Sequence, residues 1–384
     1  MTALSVLHAA QPTEAGVAAY VAGVSADQLA RGWRVVVACP PGGQLAAALA
    51  VRGIPWLHWP ATRSPGPGTV FETRRLRQLI KMVRPDVVHF HSAKAGLAGR
   101  LAVRGRRPTL FQPHGWSWLA ARGATARAAL AWERLATRWT DLLVCVGEGE
   151  AAQARHRCVG NRHLVIRNGV DLATFMPCDP QARVAARQRL GINRDAPLAV
   201  CLGRLTRQKG QDVLLSAWPQ VRSRCPAAQL CIIGDGEALP RWRAGAPPSV
   251  HFFPPVTDPR PWYAAADVVV LPSRWEGLSL TLLEALASGC PVVVSDIPGL
   301  AEAVIPGVGA RVPAGDTDAL ASAVARRLAE PGLRAAERRA AAQAARTFDI
   351  RRTHDQLAAV TAALITHGRS GDQRVGGFSR ALRG

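Results

Sequence analysis

A chain of 384 residues is too long for one ordinary hydrophobic core and predicts two domains. Its 48% hydrophobic content excludes a disordered chain, and no apolar run reaches the roughly 20 residues that a membrane-spanning helix needs. The formal charge of +21 points to an anionic partner: nucleic acid, an anionic membrane surface or an acidic substrate.

That charge is uneven. Residues 1–190 hold 25 basic and 10 acidic side chains, and the remainder hold 23 and 17. Only Lys81, Lys94 and Lys209 stand against 45 arginines, as GC-rich coding gives, so codon bias and a functional patch are both sources of the excess. The eight cysteines form no Cys-x-x-Cys pair, and Cys39, Cys145, Cys201 and Cys231 sit in apolar runs. With no Asn-x-Ser/Thr sequon, this is a cytoplasmic composition without structural zinc.

In chain order, Met1–Ala10 lacks the basic start of a signal peptide and reads as a first strand, Leu4–His8. Strands follow at Arg34–Ala38, Val87–Phe90, Leu110–Pro113 and Leu142–Val146. Helical spacing fills Val17–Ala30, Thr69–Met82 and Ala124–Arg138 between them. Asp171–Pro197, with three prolines, reads as a connector. A second series of strands occupies Leu198–Leu202, Gln229–Ile233, Val250–Phe253, Val268–Leu271 and Pro291–Ser295. Helices at Ala319–Ala329, Leu333–Ala345 and Ile350–Thr366 close the chain. Two rounds of strand–helix alternation predict two parallel sheets, which bind ligands beyond the carboxyl ends of their strands.

The residues after each strand are therefore the informative ones. Arg204 and Lys209 follow Leu198–Leu202 and precede a helix, a placement suited to phosphate and equally compatible with a solvated basic loop. After Val268–Leu271 comes Glu276, then Gly277, Leu278 and Ser279, whose backbone N–H groups open a helix carrying Glu284. Two glutamates so spaced read either as sugar and ribose ligands or as surface salt-bridge partners. Gly234–Glu237 reads as a tight turn, Asn168–Asp171 as an ordinary turn. In the first half, Gly16 follows the first strand, and His114 with Gly115 follows the Leu110–Pro113 strand. His89 and His91 have metal-like spacing, but no carboxylate or cysteine accompanies them, and a packed role is favoured for His89.

Together these segments resemble the family 4 retaining glycosyltransferases. VCLGRLTRQKG at Val200–Gly210, IIGDGE at Ile232–Glu237 and EGLSLTLLE at Glu276–Glu284, followed by ALASGCPVVVSD, stand in the order of that family's donor domain. NGVD at Asn168–Asp171, HGW at His114–Trp116 and the HSAKAG segment also match, so the resemblance runs from Leu4 to about Leu364. It implies an α/β chain with the GT-B fold, two Rossmann-like domains facing each other across a cleft. The expected division is an acceptor domain 1–178, a linker 179–197, a donor domain 198–349, a helix 350–366 returning to the first domain, and a mobile tail 367–384.

The resemblance also implies roles. Arg204 and Lys209 match cations that neutralise the donor diphosphate, beside the helix start Gly277–Ser279. Glu284 matches the ribose ligand, and Glu276 the glutamate that reaches the transferred sugar. His114 matches a histidine near the reacting centre, and Gly16 a loop glycine at the diphosphate or acceptor. The family often has two adjacent glycines there, and the first is here Ala15. The expected partners are a nucleotide-diphosphate sugar, a hydroxyl acceptor such as a lipid-linked saccharide of surface-polysaccharide synthesis, and an anionic membrane surface, with no specific nucleic acid. No metal and no cofactor is expected, the nucleotide sugar being a substrate. The expected location is cytoplasmic and peripheral on the inner face of the cell membrane. A soluble specialised-metabolite acceptor and a nucleotide-sugar 2-epimerase are the alternatives.

Overall fold

The computed structural model describes residues 3–160 and 162–369. The chain folds into two compact units, residues 1–167 with 352 onward, and residues 168–351.

The first unit is built on a seven-stranded sheet. Its strands are β1 (Ser5–Ala10), β2 (Arg34–Cys39), β3 (Trp56–His58), β4 (Val87–His91), β5 (Thr109–Gln112), β6 (Leu142–Cys145) and β7 (His163–Val165), in the order β3-β2-β1-β4-β5-β6-β7. Every pairing is parallel, and β1, β4 and β5 are buried along their whole length, as central strands covered on both faces must be. The connecting helices include α1 (Ala15–Ala30), α2 (Gly43–Val51), α3 (Thr69–Val83) and α4 (Ser92–Val103). The HSAKAG segment forms the start of α4. Its small residues have a packing reason: a Cβ at Gly96 would stand 2.3 Å from the Phe111 ring, and one at Gly99 2.4 Å from that of Phe90. The last helix, Ile350–Arg369, buries Leu357, Val360, Leu364 and Ile365 in the same core as Tyr20 and Val21 of α1.

The second unit has a six-stranded parallel sheet of the same kind. Its strands are β8 (Leu198–Leu202), β9 (Gln229–Ile233), β10 (Val250–Phe253), β11 (Val268–Leu271), β12 (Val292–Ser295) and β13 (Gly309–Val312), in the order β10-β9-β8-β11-β12-β13. Each sheet reverses its strand order beside its first strand, between β1 and β4 and between β8 and β11, the Rossmann arrangement in which ligands sit beyond the strand ends.

Three short edge strands, β3, β7 and β13, escape a sequence reading because three or four partly exposed residues show no period. The stretch 179–197, expected as a linker, differs more. It contains the helix Pro180–Arg189, which belongs to the second unit. Asp179 caps it by accepting from the Ala182 N–H at 2.6 Å, and Pro180 supplies a pre-set φ in its first turn. Of the expected tail, 367–369 fall within the last helix, and 370–384 lie outside the described residues.

Candidate functional site

In the second unit, β8 and β11 are neighbours, so the loops after them meet. Gly210 makes the approach possible. It stands at φ 69, and a Cβ there would lie 2.0 Å from the Pro272 carbonyl oxygen. The two loops are joined by side chains. Lys209 Nζ lies 2.6 Å from Glu276 Oε1, with both side chains largely buried. Ser273 Oγ donates to the same carboxylate oxygen at 2.9 Å. Gln208 accepts from Arg204 at 3.1 Å and donates to the Trp275 carbonyl at 3.1 Å. Arg274 forks onto both Asp212 oxygens and fixes the outer side of the loop pair.

Arg204, Lys209 and Glu276 are thus parts of one hydrogen-bonded network. Gly277, Leu278 and Ser279 follow directly, and their N–H groups make no protein hydrogen bond among the described residues. They lead into the helix Leu280–Ala287, and free amides at a helix start are suited to an anion such as a phosphate. Asn168, six per cent exposed, donates to the Leu278 carbonyl at 2.7 Å, so the NGVD segment anchors this loop and is more than a turn. Glu284 accepts from Tyr263 OH at 2.8 Å. Burial pushes the Glu284 carboxyl up to about 7, while the Tyr263 hydrogen bond and the Lys209 charge pull it down.

The first unit carries His114 and Gly16. His114 stands at φ 53, and the Gly115 N–H donates to Glu150 at 2.6 Å, so a buried glutamate holds the HGW turn. His114 closes a row of ring contacts. His8 Nε2 meets Gln28 Oε1 at 2.8 Å, His8 Nδ1 meets His91 Nε2 at 2.9 Å, and His91 Nδ1 meets His114 Nε2 at 3.1 Å. With Gln28 as the acceptor, neutral rings can satisfy this row in one way only. Each Nε2 carries the proton, and the His114 Nδ1 is left as an acceptor. Burial lowers all four histidines, His8 to about 4 and His114 to about 3, with His89 and His91 well below the usual range. Near neutral pH the row is uncharged.

His8, His89 and His91 bring ring nitrogens within 4.8 Å of one another and are the residues that could hold a metal. The His89 and His91 rings are tilted against each other, centroids 3.9 Å apart, and His8 Nδ1 and His91 Nε2 are engaged with each other. Gly16 lies in the first turn of α1, after Ala15 at φ 58. Glu14 and Ala15 are tied to Gln44 at the start of α2.

Sequence reasoning missed Gln208, Ser273, Tyr263, Glu150, His8 and Gln28. Gln208 lies inside the quoted Val200–Gly210 motif, and Ser273 stands just before Glu276. The others come from elements remote in sequence, with no motif of their own.

Two Rossmann-like units, with a polar network beyond the strand ends of the second, are the arrangement of the GT-B glycosyltransferases, which use nucleotide sugars. The sequence matches the pattern described as Glycosyltransferase Family 4 over residues 15–174, and that of glycosyl transferases group 1 over 196–330. A GDP-mannose-dependent phosphatidylinositol monomannoside mannosyltransferase of Mycolicibacterium smegmatis is 34% identical over 67% of this chain and 71% of its own length. A D-inositol 3-phosphate glycosyltransferase of Catenulispora acidiphila is 32% identical over 74% of this chain and 73% of its own. Sucrose-phosphate synthase from Thermosynechococcus elongatus superimposes with a TM-score of 0.81 at 22% identity, covering 94% of this chain and 99% of that structure. The chain belongs to glycosyltransferase family 4.

Proposed function

We propose that this enzyme transfers a sugar, with retention of anomeric configuration and without a metal, from a nucleotide-diphosphate sugar to a hydroxyl of a lipid-linked saccharide at an anionic membrane surface, on its cytoplasmic face. The Arg204–Gln208–Glu276–Lys209 network carries the reading. Breaking the sugar–phosphate bond builds positive charge at the anomeric carbon and negative charge on the leaving diphosphate. Arg204, Lys209 and the Gly277–Ser279 amides are poised for the second charge, and they supply the positive charge a divalent cation would otherwise bring. Glu276 faces the sugar, Glu284 takes the ribose hydroxyls, and neutral His114 offers Nδ1 as an acceptor to a sugar hydroxyl. Gly16 leaves room for the diphosphate or acceptor beside α1.

A lipid acceptor is supported by the Mycolicibacterium relative, whose name gives a mannosylated phosphatidylinositol as acceptor. It is also supported by α3. Among the described residues no helix is long and apolar enough to cross a membrane. On α3, Val70, Phe71 and Met82 are exposed at 59, 63 and 62 per cent and share one face with Arg74 and Lys81. Exposed apolar and basic side chains on one face suit a helix lying in a headgroup region. The Catenulispora relative's name gives an inositol phosphate, so a soluble acceptor is the alternative to be told apart from a lipid one. Proton NMR of the product's anomeric centre tests the proposal, with unchanged turnover expected in EDTA. An inverted product, or activity lost to EDTA and restored by a divalent ion, would contradict it.

A further inference from the structure

The second unit has another polar site, at the opposite end of its central strands. Pro197 precedes β8 and Asp267 precedes β11, and both line a cavity of about 390 Å³. Five arginines line it too: Arg183, Arg187, Arg194, Arg334 and Arg338. The acids are two, Asp195 and Asp267.

Asp267 is shared by three of the arginines. Its Oδ1 accepts from Arg183 at 2.7 Å and lies 3.4 Å from Arg334 Nε, and its Oδ2 accepts from Arg187 at 2.9 Å. Oδ2 also takes the Leu198 N–H. The remaining guanidinium donors go largely to backbone carbonyls. Arg183 reaches Ala264 and Ala266, Arg338 reaches Ala266, and Arg334 reaches Arg327 and Leu328. Carbonyls satisfy N–H groups but cancel no net charge, so the cavity keeps a surplus of positive charge. Burial pushes the Arg183 guanidinium below its ordinary range, Asp267 opposes this, and Arg187 and Arg338 add to it. Arg194 and Arg338 pair with no carboxylate among the described residues.

We propose that this cavity binds a small phosphate-bearing anion, at a site separate from the donor loops. Guanidinium forks match the oxygen spacing of phosphate, and a multiply charged anion answers a surplus that a single chloride does not. The volume admits inorganic phosphate, pyrophosphate or a sugar phosphate. The site lies at the amino ends of β8 and β11, whereas Arg204, Lys209 and Glu276 follow their carboxyl ends, so it stands whether or not the donor reading does.

The test is thermal unfolding of the full chain, titrated with inorganic phosphate at constant ionic strength held by sodium chloride. A saturable rise in Tm of about 5 °C is expected. The rise should persist in Lys209→Ala, which disables the donor loops, and vanish in Arg194→Gln/Arg338→Gln. Arg194→Gln alone, expected to weaken the response about tenfold in concentration, serves if the double variant does not fold. Parallel titration with a hexose phosphate tells an ester ligand from free phosphate by which acts at lower concentration. A rise no larger than that given by chloride, or one lost in Lys209→Ala and kept in the arginine variant, would overturn the proposal.

Discussion

Ala15 holds a backbone conformation, φ 58, that an L side chain adopts at a cost of about 1 kcal/mol. The family resemblance placed a frequent glycine there, and the structure gives the reason. Ala15→Gly is expected to stabilise the protein by about 1 kcal/mol in denaturant unfolding, and a destabilised variant would contradict the strain argument. At Glu284 the sequence showed the carboxylate but not its partner, because Tyr263 comes from a different helix 21 residues away. An acid raised to about 7 is mostly protonated in mildly acidic solution and gains its charge as pH rises through that value. An ionised Glu284 accepts hydroxyl hydrogen bonds better, so kcat/KM for the donor should rise through about pH 7. Tyr263→Phe removes a bond that favours the charged form and should move that rise to higher pH. A pH profile unchanged by Tyr263→Phe would contradict the assignment.

At the scale of elements, what could be read in advance was what carried a period or an ordered motif. The central strands β1, β4, β8 and β11 were legible because they are apolar runs, and their following loops because cations and glutamates stand at strand ends. Helix α4 was not read as a helix, since its serine, glycines and alanines carry little hydrophobic contrast; its logic is close packing on Phe90 and Phe111. Helix α3 was legible as amphipathic, but its surface role needed coordinates. Arg77 donates to the carbonyls of Leu101 and Ala102 at the end of α4 and is a packing residue. The exposed apolar and basic residues of α3 are Val70, Phe71, Arg74, Lys81 and Met82, with Arg75 partly exposed. The protein is expected to sediment with anionic liposomes at low salt and to be released by high salt. Arg74→Glu/Lys81→Glu and Phe71→Ser should each reduce binding at least several-fold, while Arg326→Glu/Arg339→Glu should not. Equal loss from both charge sets would mean diffuse attraction, and the soluble acceptor would then be favoured.

For the whole molecule, two sheets of one kind in one chain are what the doubled strand–helix alternation predicted. The helix Pro180–Arg189 was hidden because prolines around it read as a connector, although Asp179-Pro180 is itself a helix start. The histidine row was hidden for a different reason. His8, His91 and His114 come from β1, β4 and the turn after β5, and only strand order makes them neighbours. The paired loops of the second unit are proposed to move a sugar out of a nucleotide diphosphate. The most direct measurement is a screen of nucleotide sugars with the full chain, with and without lipid-linked saccharide in anionic liposomes, following sugar incorporation and nucleotide release. Transfer from at least one donor, dependent on acceptor, is expected, with Lys209→Ala losing about 2–4 kcal/mol of transition-state stabilisation. Conversion of the donor's own sugar without any acceptor, or turnover untouched in Lys209→Ala, would contradict it.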